Sequence, residues 1–146
     1  VTNFLPRAAL LLLLVLGGPA GASAQRPAEV DDFLGITRCD GGEAITELRA
    51  DVRDSFLLAE VQAHEEVHRR QAAEFPSCEA FLASIRTARR IIDIELPAYC
   101  AQWRLAVARG ADSAVTRREY AWRIAAQSGA MENRLGVVQR FEQECA

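Results

Sequence analysis

The sequence predicts an all-α fold, a compact bundle of about three main helices cross-linked by disulfides. Three observations carry that expectation. From Glu43 onward apolar residues recur at steps of three and four, the period of a helix face. Glycine and proline, which would interrupt such a pattern, fall at only a few places. No stretch of the chain shows the sustained apolar and polar alternation of a half-buried strand.

The first element is a targeting segment. Arg7 precedes an unbroken apolar run, Ala8 to Leu16, followed by Gly17, Gly18 and Pro19 and then by Ala22-Ser23-Ala24, a small-x-small cleavage signal ahead of Gln25. A membrane span needs about 20 apolar residues, so the run reads as a secretory signal peptide over residues 1–24. The mature chain is expected in the periplasm or outside the cell, with no membrane association once the signal is removed. Residues 25–42, with Pro27, Gly35, Gly41 and Gly42, read as an irregular lead-in to a helical domain over 43–146.

Helix one is expected from Glu43 to about Glu74, carried by Ile45, Leu48, Val52, Phe56, Val61, His64, His68 and Ala72. Ser77 is a plausible N-cap for a second helix through Phe81, Ile85, Ile92, Leu96, Tyr99 and Trp103, closed by Gly110. Pro97 should kink or break it. Asp112 or Ser113 can cap a third helix through Val115, Tyr120, Ile124, Leu135, Val138 and Phe141, with Gly129 and Gly136 as weak points.

Charge and cysteine content narrow the class. Without residues 1–24 the chain has 122 residues, enough for one domain. It keeps 16 of the 17 basic side chains and all 20 acidic ones, a net charge of −4, with the signs interleaved. That gives no footprint for nucleic acid or an anionic membrane. Cys39, Cys78, Cys100 and Cys145 are widely spaced, which in an exported protein reads as two disulfides with three connectivities open.

The chemistry is concentrated in five residues. Both histidines of the chain lie in His64-Glu65-Glu66-Val67-His68, an H-E-x-x-H sequence within the first helix. Residues four apart share a helix face, so the two imidazoles can converge on one cation, for which zinc is the expected identity. The segment resembles the metal-binding helix of the zincin metallopeptidases. Downstream, Glu95-Leu96-Pro97-Ala98-Tyr99 is similar to the Glu-x-x-Ala-Tyr segment of small gluzincin-like bacterial domains. The resemblance implies His64, His68 and Glu95 as zinc ligands, Glu65 as general base, Tyr99 as stabiliser of the oxyanion, and a peptide or protein substrate. Glu66, Arg69 and Arg70 depart from the uncharged residues of the longer zincin pattern and imply a more exposed helix. A ferritin-like di-iron site would need a second Glu-x-x-His, and no third histidine exists.

Geometry sets a condition on Glu95. If an uninterrupted second helix returned antiparallel from Ser77, Glu95 would lie six residues past the level of His64, about 9 Å at about 1.5 Å per residue. As a ligand it requires helix two to break between about Ala83 and Ile91. The plain three-helix hairpin instead predicts the disulfides Cys39–Cys100 and Cys78–Cys145. Two functions are therefore expected: an exported zinc-dependent metallopeptidase or amide hydrolase, or a non-catalytic, disulfide-stabilised helical domain that binds a partner. The outer partner of the imidazoles is open among Gln62, Asp93 and a backbone carbonyl.

Overall fold

The computed structural model describes residues 34–51 and 53–145. The signal peptide expected over 1–24 and the start of the lead-in lie outside them. The described chain is mostly helical with one two-stranded sheet, in the order β1 (Gly35–Asp40), β2 (Glu43–Leu48), α1 (Ser55–Ala73), α2 (Cys78–Ser84), α3 (Ala88–Ala108), α4 (Ser113–Gln127) and α5 (Arg134–Cys145). It is therefore broadly all-α, but with five helices and a hairpin it is not a three-helix bundle.

The hairpin is the main correction to the sequence reading, which ran helix one from Glu43 and left 25–42 irregular. Gly41 and Gly42 adopt φ of 58° and 88°, which only glycine takes without steric cost, and they form a two-residue connection. Asp40 pairs with Glu43 and Gly35 with Leu48, in antiparallel register. Thr37, Cys39, Thr46 and Leu48 are only partly exposed, while Ile36, Arg38 and Glu47 face solvent. That alternation, split across a Gly-Gly turn, is a hairpin signal that the helical steps of Ile45 and Leu48 concealed.

Helix α1 begins instead at Ser55, where the Asp54 carboxylate accepts from the amides of Phe56 (2.9 Å) and Leu57 (3.2 Å). The expected second helix is broken over residues 85–87. Ser77 caps α2 by accepting from the Ala80 amide, and Thr87 caps α3 by accepting from the Arg90 amide. Pro97 does not break α3; it lies within the helix at an exposed position. Asp112, not Ser113, caps α4 by accepting from the Val115 amide at 2.8 Å. Gly129, at φ 70°, follows the end of α4, whereas Gly136 is carried inside α5.

The main core lies among α3, α4 and α5, around Leu96, Trp103, Tyr120, Ile124, Val137 and Phe141. A smaller cluster of Ala72, Phe81 and Ile94 joins α1, α2 and α3. The disulfides are Cys39–Cys78, which ties β1 to α2, and Cys100–Cys145, which ties α3 to the end of α5. Neither bridge of the plain hairpin is formed. Among the described residues no helix is long and apolar enough to cross a membrane, and two disulfides suit an oxidising compartment.

Candidate metal centre

The period of α1 decides which of its residues meet the rest of the protein. At about 100° per residue, Val61, His64, Glu65, His68 and Ala72 fall within one arc about 100° wide. All five are buried. Glu66, Arg69 and Arg70 project from the other side, where the Glu66 carboxylate accepts from Arg69 at 2.7 Å and from Arg70 at 3.0 Å. Those hydrogen bonds hold Glu66 well below the usual carboxylate range, at about 2. The charges flanking the histidines are thus accommodated on the solvent face, and the histidine face itself is not exposed: His64, Glu65 and His68 are 8 %, 6 % and 9 % accessible.

Helix α3 crosses that buried face and brings Glu95 to the histidines. His64 Nε2 lies 3.0 Å from His68 Nε2 and 3.4 Å from Glu95 Oε2, and His68 Nε2 lies 3.6 Å from Glu95 Oε1. The break over 85–87 makes this possible, because it starts α3 at Ala88 and sets Glu95 level with the pair. Among the described residues, this trio is the one group of histidine, cysteine and acidic side chains able to hold a metal ion. Two of its buried polar atoms, His64 Nδ1 and Glu95 Oε2, have no hydrogen-bond partner, a state that polar atoms in a protein interior rarely keep.

The electrostatics follow from the crowding. Burial disfavours the Glu95 carboxylate, yet its close contacts with His64 and His68 prevail and lower its pKa to about 2. Burial likewise opposes a charged His68, but the contact and charge of Glu95, with help from Gln71 and Glu65, leave its pKa above the ordinary value. Without a cation, the close contact with the Glu95 carboxylate favours the charged form of His68. A cation bound there takes the place of the imidazolium proton.

The other two site residues of the sequence reading occupy the margins. Glu65 points to the hairpin, where Thr37 donates its hydroxyl to Glu65 Oε2 at 2.6 Å. Tyr99 packs edge to face on His64, with ring centroids 4.4 Å apart. Its hydroxyl accepts from Gln127 at 3.3 Å, which leaves its own proton to donate. Burial, with the nearby Glu95 charge, pushes the Tyr99 hydroxyl up to about 12.

The outer partner of His68 is Gln71, whose Oε1 lies 3.0 Å from Nδ1, and not Gln62 or Asp93. Asp93 instead accepts from Arg140 at 2.6 Å, and Gln62 lines a surface groove with Glu66 and Arg70. The spacing of Gln71, three residues after His68, could have signalled the contact. Nothing in the sequence signalled Thr37. Compared with protein-family models, curated proteins and solved structures, the chain matches none.

Proposed function

We propose that this chain is a zinc-dependent hydrolase of amide bonds, similar to the zincin metallopeptidases, acting on a peptide or protein substrate after export. The observation that supports it most is the convergence of three ligand atoms from two helices at 3.0, 3.4 and 3.6 Å. Zinc with nitrogen and oxygen ligands at about 2.0–2.1 Å holds them about 3.3 Å apart in a tetrahedron. Two imidazoles and a carboxylate form the donor set of a catalytic zinc with one position left to solvent. Bound there, zinc would lower the pKa of a water to about 7 and polarise a carbonyl.

The protein supplies the rest. Glu65 is the general base: Thr37 holds Oε2, so Oε1 is the atom that takes the proton of the attacking water and passes it to the leaving amine. Tyr99, one turn beyond Glu95, offers its hydroxyl as a hydrogen-bond donor to the carbonyl oxygen as negative charge develops on it. The two disulfides suit the oxidising compartment to which a signal peptide would deliver the chain.

The deciding experiment is the metal content of protein purified without chelator, wild type beside His64→Ala, followed by peptide hydrolysis with Glu65→Gln. About one zinc per chain, lost on replacing His64, is expected. Glu65→Gln should keep the zinc and lose hydrolysis by a factor on the order of 100 or more. No metal in wild type after zinc is supplied, or full activity in Glu65→Gln, overturns the proposal. The burial of His64, Glu65 and His68 favours a second reading, in which the same ligands clip α1 to α3 in a non-catalytic, disulfide-stabilised binding domain. Zinc would then raise the melting temperature with no peptide cleaved.

A further inference from the structure

One side chain joins the two helices of the metal centre through its polar atoms. Gln71 donates its Nε2 to the Ile94 carbonyl of α3 at 3.0 Å, and its Oε1 lies 3.0 Å from His68 Nδ1. A backbone carbonyl can only accept, so the amide nitrogen must face Ile94 and the amide oxygen must face the ring. That oxygen cannot donate, which places a hydrogen on His68 Nδ1. In the neutral ring Nε2 is then a bare lone pair, and Nε2 is the atom that lies 3.0 Å from His64 Nε2 and 3.6 Å from Glu95.

The same amide grips α3 at the residue immediately before Glu95. It therefore couples the orientation of one ligand to the position of another on a different helix. His64 has no equivalent: its Nδ1 is buried without a partner, and its ring is held by packing against Tyr99 and His68.

We infer that Gln71 is the positioning residue of this centre, fixing His68 as the Nδ1–H tautomer with Nε2 presented to the cation while tying that ring to the backbone beside Glu95. The inference deepens the metal reading and rests on it for the affinity measurement alone. Outer partners of metal-binding histidines typically change affinity by about 10- to 100-fold.

The test compares wild type, Gln71→Leu and Gln71→Glu. Zinc affinity is measured by competition with a chelator, and the nitrogen shifts of His68 are measured in metal-free protein at a pH where the ring is neutral. Wild type and Gln71→Glu, which keeps the acceptor for Nδ1 but loses the donor to Ile94, should both show the Nδ1–H tautomer, with Gln71→Glu binding zinc more weakly than wild type but more tightly than Gln71→Leu. Gln71→Leu should mix the tautomers and bind zinc about 10- to 100-fold more weakly. Wild-type affinity and tautomer in Gln71→Leu would overturn the inference. So would equal weakening in both variants, which would point to the Ile94 bond alone. Should Gln71→Leu not fold, a neutral wild-type His68 protonated on Nε2 still overturns it. Absence of zinc binding by wild type would sink the metal reading separately, while the metal-free tautomer continues to decide the role of Gln71.

Discussion

Replacing Gly35 with alanine should destabilise the protein without disturbing the metal ligands. An added Cβ would fall 2.5 Å from Val61 Cγ1, 3.0 Å from Leu48 Cδ2 and 3.2 Å from Glu65 Cγ. Carbon atoms pack at about 3.5–4.0 Å, so the shortfall against Val61 is about 1 Å. Val61 cannot swing aside, because it is 7 % accessible on α1 and its β-branch leaves essentially one helical rotamer. The hairpin must lift off the helix instead. Such overpacking costs about 1–3 kcal/mol. Gly35 is not among the glycines at positive φ, so alanine also recovers about 0.4–1 kcal/mol by restricting the unfolded chain. A net loss of about 1–2 kcal/mol remains. Urea unfolding with the disulfides intact would show it as a lower midpoint at unchanged slope. Zinc affinity should stay within a few-fold, because the ligands lie on α1 and α3 and not on the hairpin. A Gly35→Ala protein as stable as wild type, or more stable, would refute the packing of β1 on α1 and with it the placement of Thr37 over Glu65.

Two further predictions concern the cross-links and the unmetallated site. The disulfides span 39 and 45 residues, and loop entropy alone makes each worth about 4 kcal/mol. Double serine variants of either pair should therefore lose several kcal/mol in denaturant, and a loss below about 1 kcal/mol for either would count against that bridge. In metal-free protein, Glu95 is lowered from 4.5 to about 2, so its stabilisation is complete above 4.5 and is lost as pH falls toward 2. His68 is raised above 6.5, so its stabilisation is complete below 6.5 and is lost as pH rises through its folded value. These are the two flanks of one ion pair, counted once, and the pair's contribution should be greatest between pH 4.5 and 6.5. Melting curves of chelator-treated wild type against Glu95→Ala across this range check it: their difference should shrink on both sides of that window. Zinc should abolish the alkaline decline, since it binds neutral imidazole.

Some of this was legible in the chain because it depends only on local spacing. His64 and His68 share a face wherever that segment is helical, and Ser77 and Asp112 cap helices through hydrogen bonds from amides three residues away. Gly129 was legible only as a weak point in a third helix expected to run on to Phe141, whereas the chain ends α4 at Gln127 and starts α5 at Arg134. Other features were local and were missed, because two patterns competed for the same residues. Ile45 and Leu48 fit a helix step as well as a strand register, and only the pairing of β2 with β1 decides between them.

The sequence by itself determined a helical, disulfide-bonded chain that carries two imidazoles one turn apart with charged residues on the opposite face, since these follow from residue type and period. Tertiary structure alone decided which cysteines pair, which carboxylate reaches the imidazoles and what holds each site residue in place. Glu95 meets His64 and His68 only because three residues, 85–87, interrupt the return path and restart α3 at Ala88. Gln71 acquires its role only because the Ile94 carbonyl arrives within 3.0 Å, and Thr37 acquires its own because Gly35 lets the hairpin sit close against Val61. Each depends on where a second element crosses α1. Residue identity and local period do not encode such a crossing, which is settled by the packing of the chain as a whole.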